Sequence, residues 1–107
     1  MNDSYALTEA VYYILLSLWT PRHGYGIMQE TERLSGGRVR LAAGTLYGAL
    51  NTLLGKGYIE AIPGSDDSRR KDYALTSVGR RALIAEYERL RQLVANGEEI
   101  LGGERHE

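Results

Sequence analysis

The sequence predicts a mainly α-helical fold that carries one small β-hairpin, because two kinds of pattern alternate along its 107 residues. Apolar residues recur at intervals of three and four in four segments, which is the spacing of amphipathic helices. Two short apolar segments flank a polar, basic turn, which is typical of a hairpin. Glycines and prolines separate the segments. The length suits a single domain.

The composition excludes several classes of protein. The chain contains no cysteine and only two histidines, so disulfides and thiolate metal sites are absent and histidine-based catalysis has few candidates. We find no phosphate-binding loop and no nucleotide fingerprint, and we therefore predict that the chain is not an enzyme. No apolar run approaches the ~20 residues of a membrane span, and no signal peptide is recognisable. These features predict a cytoplasmic protein without a membrane partner.

The first predicted helix runs from about Thr8 to Trp19, with Thr8 as its N-cap. One apolar stripe on this helix can face the core of its own domain. A second stripe contains Tyr12, Leu16 and Trp19. A helix that is apolar on two faces is buried on two sides, so we expect a second copy of the chain to cover the second stripe.

A second helix is predicted from about Tyr25 to Leu34. Gly36 and Gly37 follow it, which is a common signal for the end of a helix. Val39 and Leu41 alternate with arginines, and this alternation predicts a very short strand before the next helix.

The third predicted helix, residues 43–56, has two contrasting faces. Leucines at positions 46, 50 and 53 form one face, which is suited to a core. The opposite face carries Gly44, Gly48 and Asn51, with Thr45 and Tyr47 at its flanks. Glycine costs up to ~1 kcal/mol against alanine inside a helix, so this face is expected to approach another surface closely.

A hairpin and a long helix complete the chain. Segments 58–62 and 71–75 are the predicted strands, and the loop between them ends in Arg69-Arg70-Lys71. The last helix is predicted from Thr76, which caps it, towards Glu99, and Gly97 is expected to weaken its end. A heptad-like seam on this helix would form a dimer interface. The seam contains Leu83, Tyr87, Leu90 and Val94.

The order of these elements is that of a winged helix-turn-helix followed by a dimerisation helix. We assign residues 1–75 to the winged domain, 76–101 to the dimerisation helix and 102–107 to a flexible tail. The net charge is only −1, but no acidic residue lies between Glu32 and Glu60, and the hairpin tip is basic. The acid-free stretch between Glu32 and Glu60 and the basic hairpin tip both belong to elements that would face DNA in such a fold.

The same residues resemble the PadR-like transcriptional regulators, in particular their short subfamily. The resemblance runs from Leu7 to about Gly79. It rests on Leu7-Thr8-Glu9-Ala10-Val11-Tyr12-Tyr13-Ile14-Leu15-Leu16, Gly24-Tyr25-Gly26-Ile27, Gly44-Thr45-Leu46-Tyr47-Gly48-Ala49-Leu50, Arg69-Arg70 and Tyr73-x-Leu75-Thr76-x-x-Gly79. It implies a homodimeric DNA-binding protein, usually a repressor, that often leaves DNA when it binds a small molecule.

We therefore expect helix 43–56 to enter the major groove of operator DNA and the wing, residues 63–71, to clamp the backbone. The alternative is a winged-helix module that binds protein instead of DNA, because the fold alone does not fix the function. The predicted DNA contacts are Tyr25, Arg38, Arg40, Gly44, Thr45, Tyr47, Gly48, Asn51, Lys56, Arg69, Arg70 and Lys71.

The sequence offers two candidate effector sites. The aromatic residues of the first and last helices could line a small-molecule pocket at the dimer interface, or simply form the core of that interface. No cofactor is expected. A metal-effector alternative uses His106, Glu104 and Glu107, joined by His23. The predicted interface residues are Tyr5, Tyr12, Leu16, Trp19, Leu83, Tyr87, Leu90 and Val94, with Tyr13 beside them.

Overall fold

The computed structural model describes residues 6–64 and 70–102 and confirms the predicted fold class. In chain order the elements are α1 (Glu9–Ser17), α2 (Gly24–Leu34), α3 (Ala43–Gly55), β1 (Ile59–Pro63), β2 (Lys71–Leu75) and α4 (Ser77–Leu101). Five predicted site residues lie outside the described residues. They are Tyr5, Arg69, Glu104, His106 and Glu107.

Three helices begin at a side chain that accepts a hydrogen bond from the first turn. Thr8 accepts from the amide of Val11 at 3.1 Å, and Thr76 accepts from the amide of Gly79 at 3.0 Å, as the sequence predicts. The third cap is His23, whose Nδ1 accepts from the amide of Gly26 at 3.2 Å. These bonds satisfy amide groups that have no partner inside the helix.

The leucine face of α3 is the centre of the core. Leu46 and Leu50 are fully buried and Leu53 nearly so. They belong to one apolar cluster that α1, α2, β1 and α4 complete with Ile14, Leu15, Leu18, Ile27, Ile59 and Leu83. Because this face of α3 is directed inward, the glycine-bearing face is directed outward.

The hairpin is antiparallel, with Ile59 opposite Leu75 and Pro63 opposite Lys71. A backbone bridge between Arg22 and Tyr73 adds a third segment on the other side of β2. The strand predicted at Val39 and Leu41 is therefore wrong. The amide of Val39 donates to the Ser35 hydroxyl instead. The segment that joins the hairpin contains Arg22 and precedes α2.

The turn between α2 and α3 begins with Gly36 and Gly37, as predicted. Both have positive φ angles, 64° and 87°, which side chains rarely tolerate. The predicted end of α1 is wrong by two residues, because α1 ends at Ser17. Trp19 lies beyond that end, and its ring contacts the Arg80 guanidinium at 4.0 Å.

The long helix α4 differs from its prediction in two ways. It continues through Gly97 to Leu101, so this glycine does not weaken the end enough to break the helix. Glu86, a charged residue at which helical periodicity gives no sign of burial, is buried. Near its start, α4 approaches β1 so closely that any side chain at Gly79 would overlap the carbonyl of Tyr58.

Within the described residues, no helix combines the length and the apolar character that a membrane crossing requires.

Candidate nucleic-acid interface

The outward face of α3 is open. Gly44, Thr45, Gly48 and Asn51 are all exposed. A methyl group built at Gly44 or Gly48 would meet no atom within 4 Å. The missing side chains at these two positions are therefore not explained by packing within the described part of the chain. They leave the helix backbone accessible to a close approach from outside.

A polar cleft of about 350 Å³ joins α3 to α2 and to the hairpin. Tyr47 from α3 lies on one side of it, and its hydroxyl rests on Gly24 at the start of α2. Tyr25 is exposed, with its ring parallel to that of His23. The lining residues are His23, Gly24, Tyr25, Tyr47, Arg70, Lys71 and Tyr73.

This cleft gathers residues that are far apart in the sequence and carry the chemistry of anion binding. The start of an α-helix presents amide groups with a positive potential, and Arg70 and Lys71 add two cations. Burial raises the pKa of the Tyr73 hydroxyl, and the neighbouring Tyr47 raises it further. At neutral pH the Tyr73 hydroxyl therefore remains protonated and can donate a hydrogen bond.

The other predicted basic contacts have partners within the chain. Arg38 pairs with Glu9, whose hydrogen bond raises the pKa of the guanidinium. Arg40 pairs with Glu32 at 3.4 Å. Lys56 lies 6.0 Å from the ring centre of Tyr58. None of these three side chains lines the polar cleft.

Comparison with known proteins decides the family. The profile of the transcriptional regulator PadR-like family matches residues 13–85, which is more than half of the chain. The chain belongs to the PadR-like family. An uncharacterized protein X of Lysinibacillus sphaericus is 32% identical over 84 residues, covering 74% of this chain and 77% of that protein.

Solved structures of transcriptional regulators share the fold of this PadR-like chain. A Clostridium thermocellum regulator, Cth-833, superposes with a TM-score of 0.66 at 24% identity, covering 83% of this chain and 87% of that one. RosR of H. salinarum superposes with a TM-score of 0.63 at 29% identity, and the match covers 92% of this chain and 100% of RosR. BpsR of Bordetella bronchiseptica superposes with a TM-score of 0.68 at 18% identity, and the match covers 92% of this chain and 69% of BpsR. This membership confirms that the chain is a regulator and not an enzyme.

The predicted interface residues of the PadR-like chain fall into three places. Tyr12, Tyr87, Leu90 and Val94 line one groove of about 450 Å³ between α1 and α4. Leu83 belongs to the core, and Leu16 packs against the edge of that core. Trp19 is half exposed beside Arg80 and does not line the groove.

One buried charge was missed by the sequence analysis. The Glu86 carboxylate accepts two hydrogen bonds from Arg89, at 2.8 and 2.7 Å, and one from the amide of Leu7 at 3.3 Å. The bond from Arg89 lowers the pKa of Glu86. The amide of Leu7 ties the segment before α1 to α4. The three-residue spacing of Glu86 and Arg89 is the feature of the sequence that could have revealed this ion pair, because residues three apart on a helix are neighbours.

The metal alternative receives no support from the described residues. No cluster of three potential metal-binding side chains occurs among residues 6–64 and 70–102. The Nδ1 atom of His23 is occupied as a helix cap. The other three candidates, Glu104, His106 and Glu107, lie outside the described residues.

Proposed function

We propose that this PadR-like regulator is a dimeric DNA-binding repressor that a small effector releases from its operator. One observation carries the proposal. The open face of α3 is continuous, through Tyr47, with a cleft that holds Arg70 and Lys71 of the hairpin. In this proposal residues 43–56 enter the major groove and the wing, residues 63–71, clamps the backbone.

Base recognition is assigned to the polar side chains on the open face of α3. Asn51 can form a two-bond contact with adenine, and Thr45 can bond to either type of base pair. Both side chains are exposed. Gly44 and Gly48 allow the helix backbone to approach the base edges, so their role is steric. Substitution of Asn51 or Thr45 should change the preferred sequence more than the salt dependence.

Phosphate binding is assigned to the polar cleft and to the basic residues around it. Tyr25, Tyr47, Arg70 and Lys71 would hold one stretch of backbone, and Arg69 is proposed to extend this contact along the wing. Lys56 would bind a phosphate near the end of α3. Arg38 and Arg40 would exchange their carboxylate partners for phosphates, since surface ion pairs contribute little.

Dimerisation is assigned to the outer half of α4 together with α1. Leu83 is the only residue of α4 in the buried core cluster, while Val94 is 63% and Ile100 72% exposed. Such a row of apolar side chains marks an interaction surface. In this proposal residues 1–75 bind DNA and 76–101 dimerise, while residues 103–107 of the predicted tail lie outside the described residues. The two recognition helices would lie about 34–36 Å apart.

Effector control is proposed because the same fold supports it in a neighbour. The DNA binding of BpsR is regulated by 6-hydroxynicotinic acid. In this chain the groove at Tyr12 and Tyr87 lies between α1 and α4, where a ligand would change the angle between subunits. A metal ion is the alternative effector. We also propose that the protein acts in the cytoplasm.

The proposal is tested by fluorescence anisotropy with duplex DNA from upstream of the protein's own gene, over a range of salt concentrations. The double variant Arg69→Ala/Arg70→Ala should bind all sequences more weakly and flatten the salt slope by about one unit per lost contact. Arg81→Ala, an exposed arginine on α4, is the matched control and should leave the slope unchanged.

Two results would contradict the proposal. An unchanged slope in the double variant would remove the wing from the interface. No binding at low salt by a folded dimer would favour the protein-interaction module instead.

A further inference from the structure

We propose that Thr76 is a positioning residue that fixes the angle between α3 and α4. Thr76 lies where β2 ends and α4 begins, beside the turn that follows α3. Two carbonyl groups of that turn accept hydrogen bonds from Thr76. Through this angle Thr76 sets the distance between the two DNA half-sites that a dimer can occupy, and this second step rests on the proposed function.

The end of α3 presents those two carbonyl groups in a fixed geometry. The amide of Gly57 donates to the Leu54 carbonyl at 3.0 Å. The amide of Tyr58 donates to the Leu53 carbonyl, also at 3.0 Å. Gly57 has a positive φ angle of 75°, so the arrangement is the Schellman motif that closes many helices. The carbonyls of Gly57 and Tyr58 therefore keep a constant orientation relative to α3.

Thr76 joins this turn to α4 with both its backbone and its side chain. Its amide donates to the Tyr58 carbonyl at 3.0 Å, and its hydroxyl donates to the Gly57 carbonyl at 2.5 Å. The same hydroxyl accepts from the amide of Gly79 at 3.0 Å and thereby caps α4. A hydroxyl has one hydrogen and two lone pairs, so it can form both bonds at once. One side chain therefore connects the end of α3 to the first turn of α4.

The close approach at Gly79 leaves little room for a different angle. A methyl group built on Gly79 would lie 1.9 Å from the carbonyl oxygen of Tyr58, which is a backbone atom and cannot rotate away. Within the described part of the chain, every hydrogen bond that joins residues 56–58 to residues 76–80 involves Thr76. The direct connection between the two helices is thus concentrated at this residue.

The length of α4 amplifies any change at this connection. The helix has 25 residues. At 1.5 Å per residue, a rotation of about 10° at its start would move its far end by roughly 6 Å. That movement exceeds the rise of about 3.4 Å per base pair of DNA. Since the proposed function assigns the dimer contact to α4 and base contacts to α3, a loose connection would let α3 reach half-sites at several spacings.

The first test measures the angle within one chain, without DNA. The chain contains no cysteine, so cysteines introduced at the exposed positions Thr45 on α3 and Gln92 on α4 would carry the only two spin labels. Dilution with unlabelled chain leaves one labelled copy in each dimer. Double electron-electron resonance should give a narrow distribution of distances when Thr76 is intact and a broader one in Thr76→Ala.

Three variants separate the connection from the helix cap. Thr76→Asp keeps the cap, because its carboxylate accepts from Gly79, but it has no hydrogen to donate to Gly57, so its distribution should broaden. Thr76→Ser keeps the hydroxyl and should retain the narrow distribution. Thr8→Ala removes the cap of α1 without touching the turn after α3 and should also retain it. An unchanged distribution in Thr76→Asp, or equal broadening in Thr8→Ala, would overturn the positioning role.

The second test measures the half-site spacing that DNA binding requires. Footprinting first locates the two half-sites upstream of the protein's own gene, and a second duplex carries one extra base pair between them. The unmodified dimer should bind the second duplex about tenfold more weakly, because DNA or protein must deform to absorb the extra pair. In Thr76→Asp this ratio should fall below about threefold, since a loose connection absorbs the change.

The ratio between the two duplexes cancels the effect of the new carboxylate on overall affinity, because both duplexes meet the same charge. Thr8→Ala should keep the ratio of the unmodified dimer. A ratio that stays near its unmodified value in Thr76→Asp would overturn control of the spacing. Absence of DNA binding by the folded, unmodified protein would count against the proposed function, whereas the distance measurement would still decide whether Thr76 fixes the angle.

Discussion

The hydroxyl of Tyr47 on α3 rests directly on Gly24 at the first turn of α2. This contact fixes the phenol at the edge of the cleft that also holds Arg70 and Lys71. A residue of α3 is thus positioned by the absence of a side chain on the preceding helix.

The first prediction concerns this contact. In Gly24→Ala the new methyl group would overlap the Tyr47 hydroxyl and displace the phenol. We expect DNA affinity to fall about fivefold, the effect of one lost hydrogen bond, with little change in the free energy of unfolding. Anisotropy titration and urea denaturation measure the two quantities. Tyr47→Phe should show a similar loss. Wild-type affinity in both variants would remove the Tyr47 hydroxyl from the interface.

The second prediction separates stability from binding at the open face of α3. Gly48→Ala meets no neighbouring atom, so it should raise the free energy of unfolding by about 0.5–1 kcal/mol. The same methyl group would obstruct the approach to DNA and lower affinity roughly tenfold. Gly97→Ala, in the outer part of α4, is the control and should raise stability without changing affinity. Unchanged DNA affinity in Gly48→Ala would contradict the assignment of this face.

The third prediction tests the apolar face of α4. Val94→Glu places a charge on the groove that Tyr12 and Tyr87 share. If a second chain covers this groove, burial of an unpaired carboxylate costs several kcal/mol and the dimer dissociates. Analytical ultracentrifugation should then find a folded monomer. Gln92→Glu adds the same charge at another exposed position of α4 and should stay dimeric. A Val94→Glu dimer of unchanged affinity would place the interface elsewhere.

The fourth prediction follows from the buried carboxylate of Glu86. Its pKa is lowered in the folded chain, chiefly by the hydrogen bond from Arg89, so it binds a proton less readily there than when unfolded. Its contribution to stability is therefore present above the usual glutamate pKa near 4.3 and is lost as the pH falls through the lower folded value.

The free energy of unfolding of Glu86→Gln should accordingly be lower than that of the wild type at pH 7. The difference between the two should shrink at acidic pH. Urea denaturation at a series of pH values measures the difference. Glu88→Gln, at an exposed ion pair, is the control and should show little pH-dependent difference. A constant gap between Glu86→Gln and the wild type at every pH would contradict this account.

Much of the fold is predictable from local patterns because local physics determines it. The Thr8 and Thr76 caps, the two glycines after α2 and the leucine face of α3 all follow from spacing and residue type. The outward direction of Gly44 and Gly48 is a consequence of that leucine face.

The features that the sequence did not reveal depend on tertiary contacts. His23 acts as a helix cap, a role that its residue type does not suggest. The strand expected at Val39 did not form because Arg22 pairs with β2 instead. Glu86 is buried because Arg89 and the Leu7 amide surround it. The polar cleft joins segments that are distant in the sequence, and no periodicity encodes such a meeting.

The pairing of the hairpin has a consequence for the behaviour of the protein at high concentration. The amide of Gly64 donates to Arg70 across the hairpin, so the alternate position, Pro63, directs its backbone nitrogen towards the outer edge of β1. Proline has no amide hydrogen to offer there, and the exposed Glu60 adds a charge to the same strand. This edge therefore resists strand-to-strand association between chains, which is a common route to aggregation.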